Sequence, residues 1–171
     1  MSGLAFIAAA ISLRVISLVI SMRNERNLLR KGAMEYGSHT SKAISVAHVD
    51  YYLAAISERS IRDAPESWIN DLGLILYIIS MCALFWVIFT LGRLWTVKIY
   101  IAPDHRLETN WVFKYVRHPN YFLNIIPELI GFALVLNAWV TLTIGLPIYL
   151  MILARRIRQE EQIMSRTFSE Y

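Results

Sequence analysis

The chain has a single cysteine, so no disulfide can form within it. Cys82 lies in the middle of an apolar run and reads as a small packing residue. Charge is also scarce: 18% of residues are charged against 56% hydrophobic, and a soluble domain of this size carries more charge. Four histidines and one cysteine show no close-spaced ligand pattern, so no metal is expected. There is no glycine-rich nucleotide motif, no internal repeat and no low-complexity tract. The net charge of +4 does not mark a nucleic-acid binder here, because in an apolar chain it reflects basic loops beside a bilayer. What the chain does have is long apolar runs. A bilayer core about 30 Å thick needs about 20 apolar residues per helix, and that test is met several times.

The expected fold is all-α, an integral membrane protein forming one domain of about five transmembrane helices with a cytoplasmic C-terminal helix. Spans are expected at about 4–22, 43–57, 68–91, 120–136 and 138–154, followed by a charged helical tail at 155–171. The first span lacks a basic lead and a small-residue cleavage pattern, so it reads as an anchor and not a removable signal. Asn137 marks a tight turn, and Pro127 and Pro147 are expected to kink the last two helices. Basic residues gather in the first loop, after the third span and after the fifth, leaving Arg59 and Arg62 opposite and Arg14 inside a helix. The basic side is then cytoplasmic, with the amino terminus outside.

The most distinctive local feature is Val116-Arg117-His118-Pro119-Asn120-Tyr121, where a loop enters the fourth helix. Proline suits a first helical turn, and the free N–H groups and positive dipole end there favour an anion. Arg117 and His118 add donors at the same point. An interfacial anchor, with Arg117 on headgroups and Tyr121 in the aromatic belt, accounts for the same residues. A second feature closes the fifth helix: Arg156-Ile157-Arg158-Gln159-Glu160-Glu161. Arg156 and Glu160 share one helix face, and adjacent glutamates there could attract a cationic cofactor or merely form a solvated face.

Together these motifs resemble the isoprenylcysteine carboxyl methyltransferase family, with its Arg-His-Pro-x-Tyr signature followed after two apolar spans by Arg-x-x-x-Glu-Glu. The resemblance covers roughly residues 105–171. The amino-terminal half, with Arg23-Asn24-Glu25-Arg26 and Gly32-Ala33-Met34-Glu35, looks like a short bacterial branch found with polyketide synthases. That branch is implied to O-methylate alkylpyrones or similar phenolic lipids. The resemblance implies S-adenosylmethionine as cofactor, with His118, Tyr121 and Glu160 lining its pocket and Arg117 and Glu161 bracing it. It further implies that Arg156 orients the acceptor or the pocket carboxylates, and that His105 and Leu107 belong to a loop packed over the adenosine. One departure is Leu123, where the family often has glycine.

A polar ladder runs down the fourth helix as Asn120, Asn124 and Glu128, spaced four apart on one face. Glu128 lies about 12 Å deep at 1.5 Å per residue, and Arg14 reaches about the same depth from the cytoplasmic end of the first helix. Arg14, Ser17, Ser21 and Glu25 share one face there. An uncompensated arginine at that depth costs about 2.5–3.5 kcal/mol on insertion scales, so Arg14 and Glu128 are expected to meet. His48 is placed to join them. Asp50, roughly 200° further round the second helix, cannot face the same partner. Such a cluster either fixes helix register or forms the foot of a ladder leading to the reacting methyl. In the second case Glu128 or His48 serves as base for a hydroxyl acceptor, with Asn124 contacting the substrate.

The reading is therefore an S-adenosylmethionine-dependent methyltransferase in a bacterial inner membrane, acting on a lipophilic acceptor drawn from the bilayer. A phenolic or pyrone hydroxyl fits the polar ladder better than a prenylcysteine-like carboxylate, which needs no base. Phospholipid N-methylation, a membrane reductase and a non-catalytic scaffold are the competing readings.

Overall fold

The computed structural model describes residues 3–62, 65–101 and 118–167. Long apolar runs form helices because a helix satisfies its own backbone groups without water. In chain order the elements begin with α1 (Gly3–Arg30), β1 (Met34–Tyr36), α2 (Ser38–Ile61) and α3 (Trp68–Leu91). A 3₁₀ turn, Gly92–Leu94, leads to β2 (Ile99–Ile101). Helix α4 is a π-helical turn, Asn120–Ile125, running into Ile126–Val135. Helix α5 repeats the pattern, with a π-helical turn at Thr141–Gly145 running into Leu146–Thr167.

By length and composition, two of the described helices can cross a membrane, Gly3–Arg30 and the third extended to Leu94. Both present large apolar side chains outward as well as to an apolar core, while polar side chains are buried within the bundle. Ile11, Val15, Ile16 and Val19 of α1 and Leu72, Ile75, Ile79 and Phe89 of α3 are exposed. Ser17, Ser21, Ser80, Asn124, Glu128 and Arg156 are buried. Water would reward the opposite arrangement; hydrocarbon rewards this one.

Helix α3 packs along α4, and α2 along α5. The first pair crosses backbone to backbone at Gly73 and Gly131, where a methyl on Gly131 would lie 2.8 Å from the Gly73 carbonyl oxygen and from the Tyr77 nitrogen. Small residues at such a crossing let two helices approach closely. Polar clips close the end where α4 turns into α5. Asn70 Nδ2 donates to the carbonyls of Leu134 and Val135 at 3.0 Å each, and the Glu58 carboxylate accepts from Val140 and Thr141 at the start of α5. The turn between α4 and α5 holds Asn137 at φ 55°, an αL conformation that asparagine tolerates.

Several elements differ from the expected spans. Helix α1 runs on past residue 22 to Arg30, and α2 begins at Ser38, because polar residues beyond an apolar run extend a helix once its first turns are packed. The expected tail is continuous with the fifth helix as far as Thr167. The polar segments after the first and third spans are not loops throughout: they contribute β1 and β2, antiparallel, with Glu35 opposite Tyr100. Each expected proline sits just past a π-helical turn, Pro127 after Ile126 and Pro147 after Leu146. A wider turn relieves the clash and missing N–H that proline brings to a helix interior.

Candidate active site

At the basic end of the bundle, the start of α4 meets the last turns of α5. His118 is buried beneath two carboxylates, its Nδ1 3.7 Å from Glu160 Oε1 and its Nε2 3.4 Å from Glu161 Oε1. Tyr121 stacks on the His118 ring and donates its hydroxyl to Glu160 Oε2 at 2.7 Å. Burial alone would lower the His118 pKa, but Glu160 and then Glu161 outweigh it and the net shift is upward. Burial alone would raise Glu160; hydrogen bonds from His118 and Tyr121, with the charges of His118 and Arg156, bring it below the ordinary carboxylate value. The cluster is thus a charged one, and the glutamates stay partly open, with side chains 27% and 43% exposed.

Arg156 lies beneath them and is 1% exposed. Its guanidinium donates to Ser41 Oγ at 2.9 Å, Thr40 Oγ1 at 3.3 Å, the Val97 carbonyl at 3.3 Å and Tyr121 Oη at 3.4 Å. All four acceptors are neutral, and no carboxylate of the described residues lies within 4 Å. Thr40 also bonds Gln159. The bend that brings these hydroxyls in is Gly37, at φ 63°, whose carbonyl accepts from Thr40 and Ser41. A side chain there would be strained and would run into Gln159.

Deeper in the bundle, α1 and α2 converge on Glu128 of α4, which is fully buried. Arg14 grips it with Nε and a terminal nitrogen. Tyr52 donates its hydroxyl to Glu128 Oε1 at 2.6 Å, and His48 Nε2 lies 3.6 Å from the same oxygen. That Nε2 is buried and makes no hydrogen bond, while Nδ1 lies 3.4 Å from Tyr149 Oη. The Tyr52 ring lies flat against Phe132 with centroids 3.9 Å apart and stacks on His48. Between the two clusters stands Asn124, fully buried. Its Nδ2 donates to Asn120 Oδ1 at 3.2 Å, and its own Oδ1 has no partner.

The structure therefore brings together Arg14, Glu128 and His48 in one cluster, and His118, Tyr121, Glu160, Glu161 and Arg156 in another, with Asn124 between. Asp50 is exposed, away from both. His105, Leu107 and Arg117 lie outside the described residues. Sequence reasoning missed Tyr52, Tyr149, Thr40 and Ser41. Only Tyr52 had a usable signal, since it stands four residues after His48 on the same helix face.

Residues 73–166 match the isoprenylcysteine carboxyl methyltransferase (ICMT) family. An uncharacterized protein of Haemophilus influenzae is 50% identical over 161 residues, 94% of either chain. The uncharacterized protein YpbQ of Bacillus subtilis is 29% identical over 160 residues, 92% of this chain and 94% of its own. No solved structure matches the chain. The family match takes in His118, Tyr121, Arg156 and both glutamates of the end cluster, and Glu128 of the deep one. Arg14, His48 and Tyr52 lie outside it.

Proposed function

The chain belongs to the isoprenylcysteine carboxyl methyltransferase family of membrane methyltransferases, and from that premise we propose that it methylates a hydroxyl of a lipophilic acceptor, using S-adenosylmethionine bound at the end cluster. The observation that carries this reading is the convergence of His118 and Tyr121 on Glu160 and Glu161 above a buried arginine that has no carboxylate partner among the described residues. These residues fit the cofactor: partly open carboxylates suit its cationic groups, and the Arg156 guanidinium suits its carboxylate. S-adenosylmethionine, when bound, supplies an electrophilic methyl on a sulfonium sulfur.

The residues of the chain do the rest. Glu160, braced by Tyr121 and His118, holds positive charge at the basic end. Arg156 offers a buried positive charge to the cofactor's carboxylate, an interaction strengthened where water is excluded. Asn124 Oδ1 accepts a donor of the acceptor molecule. Glu128 is already gripped by Arg14 and Tyr52, so it acts as a positioning residue, and the buried, unbonded Nε2 of His48 takes the hydroxyl proton. Alignment supplies most of the rate. In this reading all five helices cross a bacterial inner membrane with the basic end cytoplasmic, and the acceptor is a phenolic or pyrone-type lipid that arrives sideways from the bilayer.

The test is transfer of labelled methyl from S-adenosylmethionine to alkylpyrone and alkylphenol acceptors by purified protein in bilayer discs. Alkali-stable O-methyl ether is the expected product. An alkali-labile methyl ester would move the acceptor to a carboxylate, and an N-methyl product would overturn oxygen transfer.

A further inference from the structure

Outside both clusters, a cavity of about 470 Å³ opens at the basic end of the bundle, between the last turns of α1 and the turn that follows α3. Its lining is Asn27, Leu28, Arg30, Lys31, Arg93 and Leu94. Three cations thus share one hollow, and among the described residues no carboxylate lines it. Among the described residues none of the three forms an ion pair, and the carboxylates of Glu25 and Glu35 are both taken by Lys98. Like charges held together repel, so the hollow is built for an anion. The walls are also part apolar, through Leu28 and Leu94, which suits an amphiphile better than a free ion.

Position narrows the occupant. The cavity lies at the ends of α1 and α3, the two helices with enough length and apolarity to cross a bilayer. Headgroups lie at that level, and basic pockets between membrane helices on the cytoplasmic side bind anionic headgroups. We propose that this cavity binds the phosphodiester headgroup of an anionic phospholipid. Arg30, Lys31 and Arg93 hold the phosphate, Asn27 reaches the glycerol hydroxyls, and the start of an acyl chain runs along Leu28 and Leu94. A filled cavity would also steady the β1–β2 pairing, because Leu28 packs on its other side against Ala33 and Tyr100.

The test uses full-length protein, delipidated in neutral detergent and titrated with phosphatidylglycerol, phosphatidylcholine or glycerol 3-phosphate. Binding is read by native mass spectrometry and by the thermal midpoint of the helical signal. One phosphatidylglycerol per chain is expected, with a raised midpoint and no comparable effect from phosphatidylcholine. Each cation near an anionic surface is worth about fivefold, so the triple variant R30Q/K31Q/R93Q should weaken binding roughly 100-fold. The control triple R23Q/R26Q/K42Q removes the same charge from exposed positions outside the lining and should bind as wild type does. Equal weakening by both triples, equal binding of phosphatidylcholine, or glycerol 3-phosphate binding as tight as the lipid would each overturn the proposal. If the cavity triple does not fold, R93Q alone replaces it, with about fivefold weakening expected and wild-type affinity counting against the site.

Discussion

The deep cluster and the end cluster each hold an arginine near glutamate, Arg14 partly buried and Arg156 fully so, yet they balance the charge differently. At depth, Arg14 and Glu128 neutralise each other directly, and Tyr52 takes a further lone pair of the carboxylate. At the end, Arg156 is surrounded by hydroxyls and a carbonyl, while the glutamates of its own helix turn to His118, Tyr121 and partly to solvent. The first arrangement is closed, and adding a charged ligand would disrupt it. The second has unspent charge of both signs side by side, which is what a zwitterionic, cationic ligand needs. Depth explains the contrast, since an unpaired charge far from water is costly in the membrane while one near the interface can wait for a ligand.

If His48 is the only free base in the deep cluster, H48A should cut turnover by roughly 10²–10⁴-fold while S-adenosylhomocysteine affinity stays within a few-fold of wild type. Parallel kinetic and calorimetric measurements check this, and equal losses in both would merge the two clusters into one site. E128Q should follow the same split with a smaller loss, since it misplaces His48 without removing it.

The closed character of the deep pair is broken more bluntly by R14A, which leaves the Glu128 carboxylate buried and unpaired. Removing one member of a buried pair typically costs about 3–5 kcal/mol. The double change R14M/E128L should recover most of that stability in detergent unfolding without recovering activity. Recovery of both would reduce the cluster to a register device. A backbone control follows at the next level. G131A forces a methyl against Gly73 and Tyr77 and should cost about 1–3 kcal/mol by overpacking, with cofactor affinity unaltered.

The smallest expected effect concerns pH at the end cluster. His118 has its pKa raised by folding, so its contribution is fully present below the unfolded imidazole value and fades as pH rises through the folded one. Glu160 has its pKa lowered, so its contribution is present above the unfolded carboxylate value and fades as pH falls through the folded one. The pair therefore stabilises most between the unfolded carboxylate value and the unfolded imidazole value, and the benefit is lost as pH passes the lowered Glu160 value below or the raised His118 value above. H118Q should flatten the alkaline limb of the unfolding free energy against pH by under about 1 kcal/mol, as for a partly solvent-screened pair. An alkaline limb unchanged by H118Q would assign it to another group.

Much of this organisation could be read from residue order because depth and helical spacing are local properties. Counting residues from the helix ends set Arg14 and Glu128 at the same level, and insertion cost then required them to meet. The third helix also begins and ends where its apolar run does. The β1–β2 pairing was illegible for the opposite reason: two three-residue strands carry almost no pattern, and each exists only because the other, far along the chain, is held beside it. Thr40 and Ser41 were missed because they look like ordinary polar loop residues until α2 is seen to start at Ser38. The π-helical turns needed the packing of α4 and α5 to be visible, although the prolines that follow them marked both helices as irregular.

The most direct measurement is calorimetric binding of S-adenosylhomocysteine to wild type, E160A and E128Q in the same detergent. Binding that E160A weakens at least tenfold and E128Q leaves within a few-fold would support the cofactor site at the open end cluster. No binding by folded wild-type protein, with lipid acceptors present or absent, would contradict that assignment, and so would a loss at E128Q as large as that at E160A.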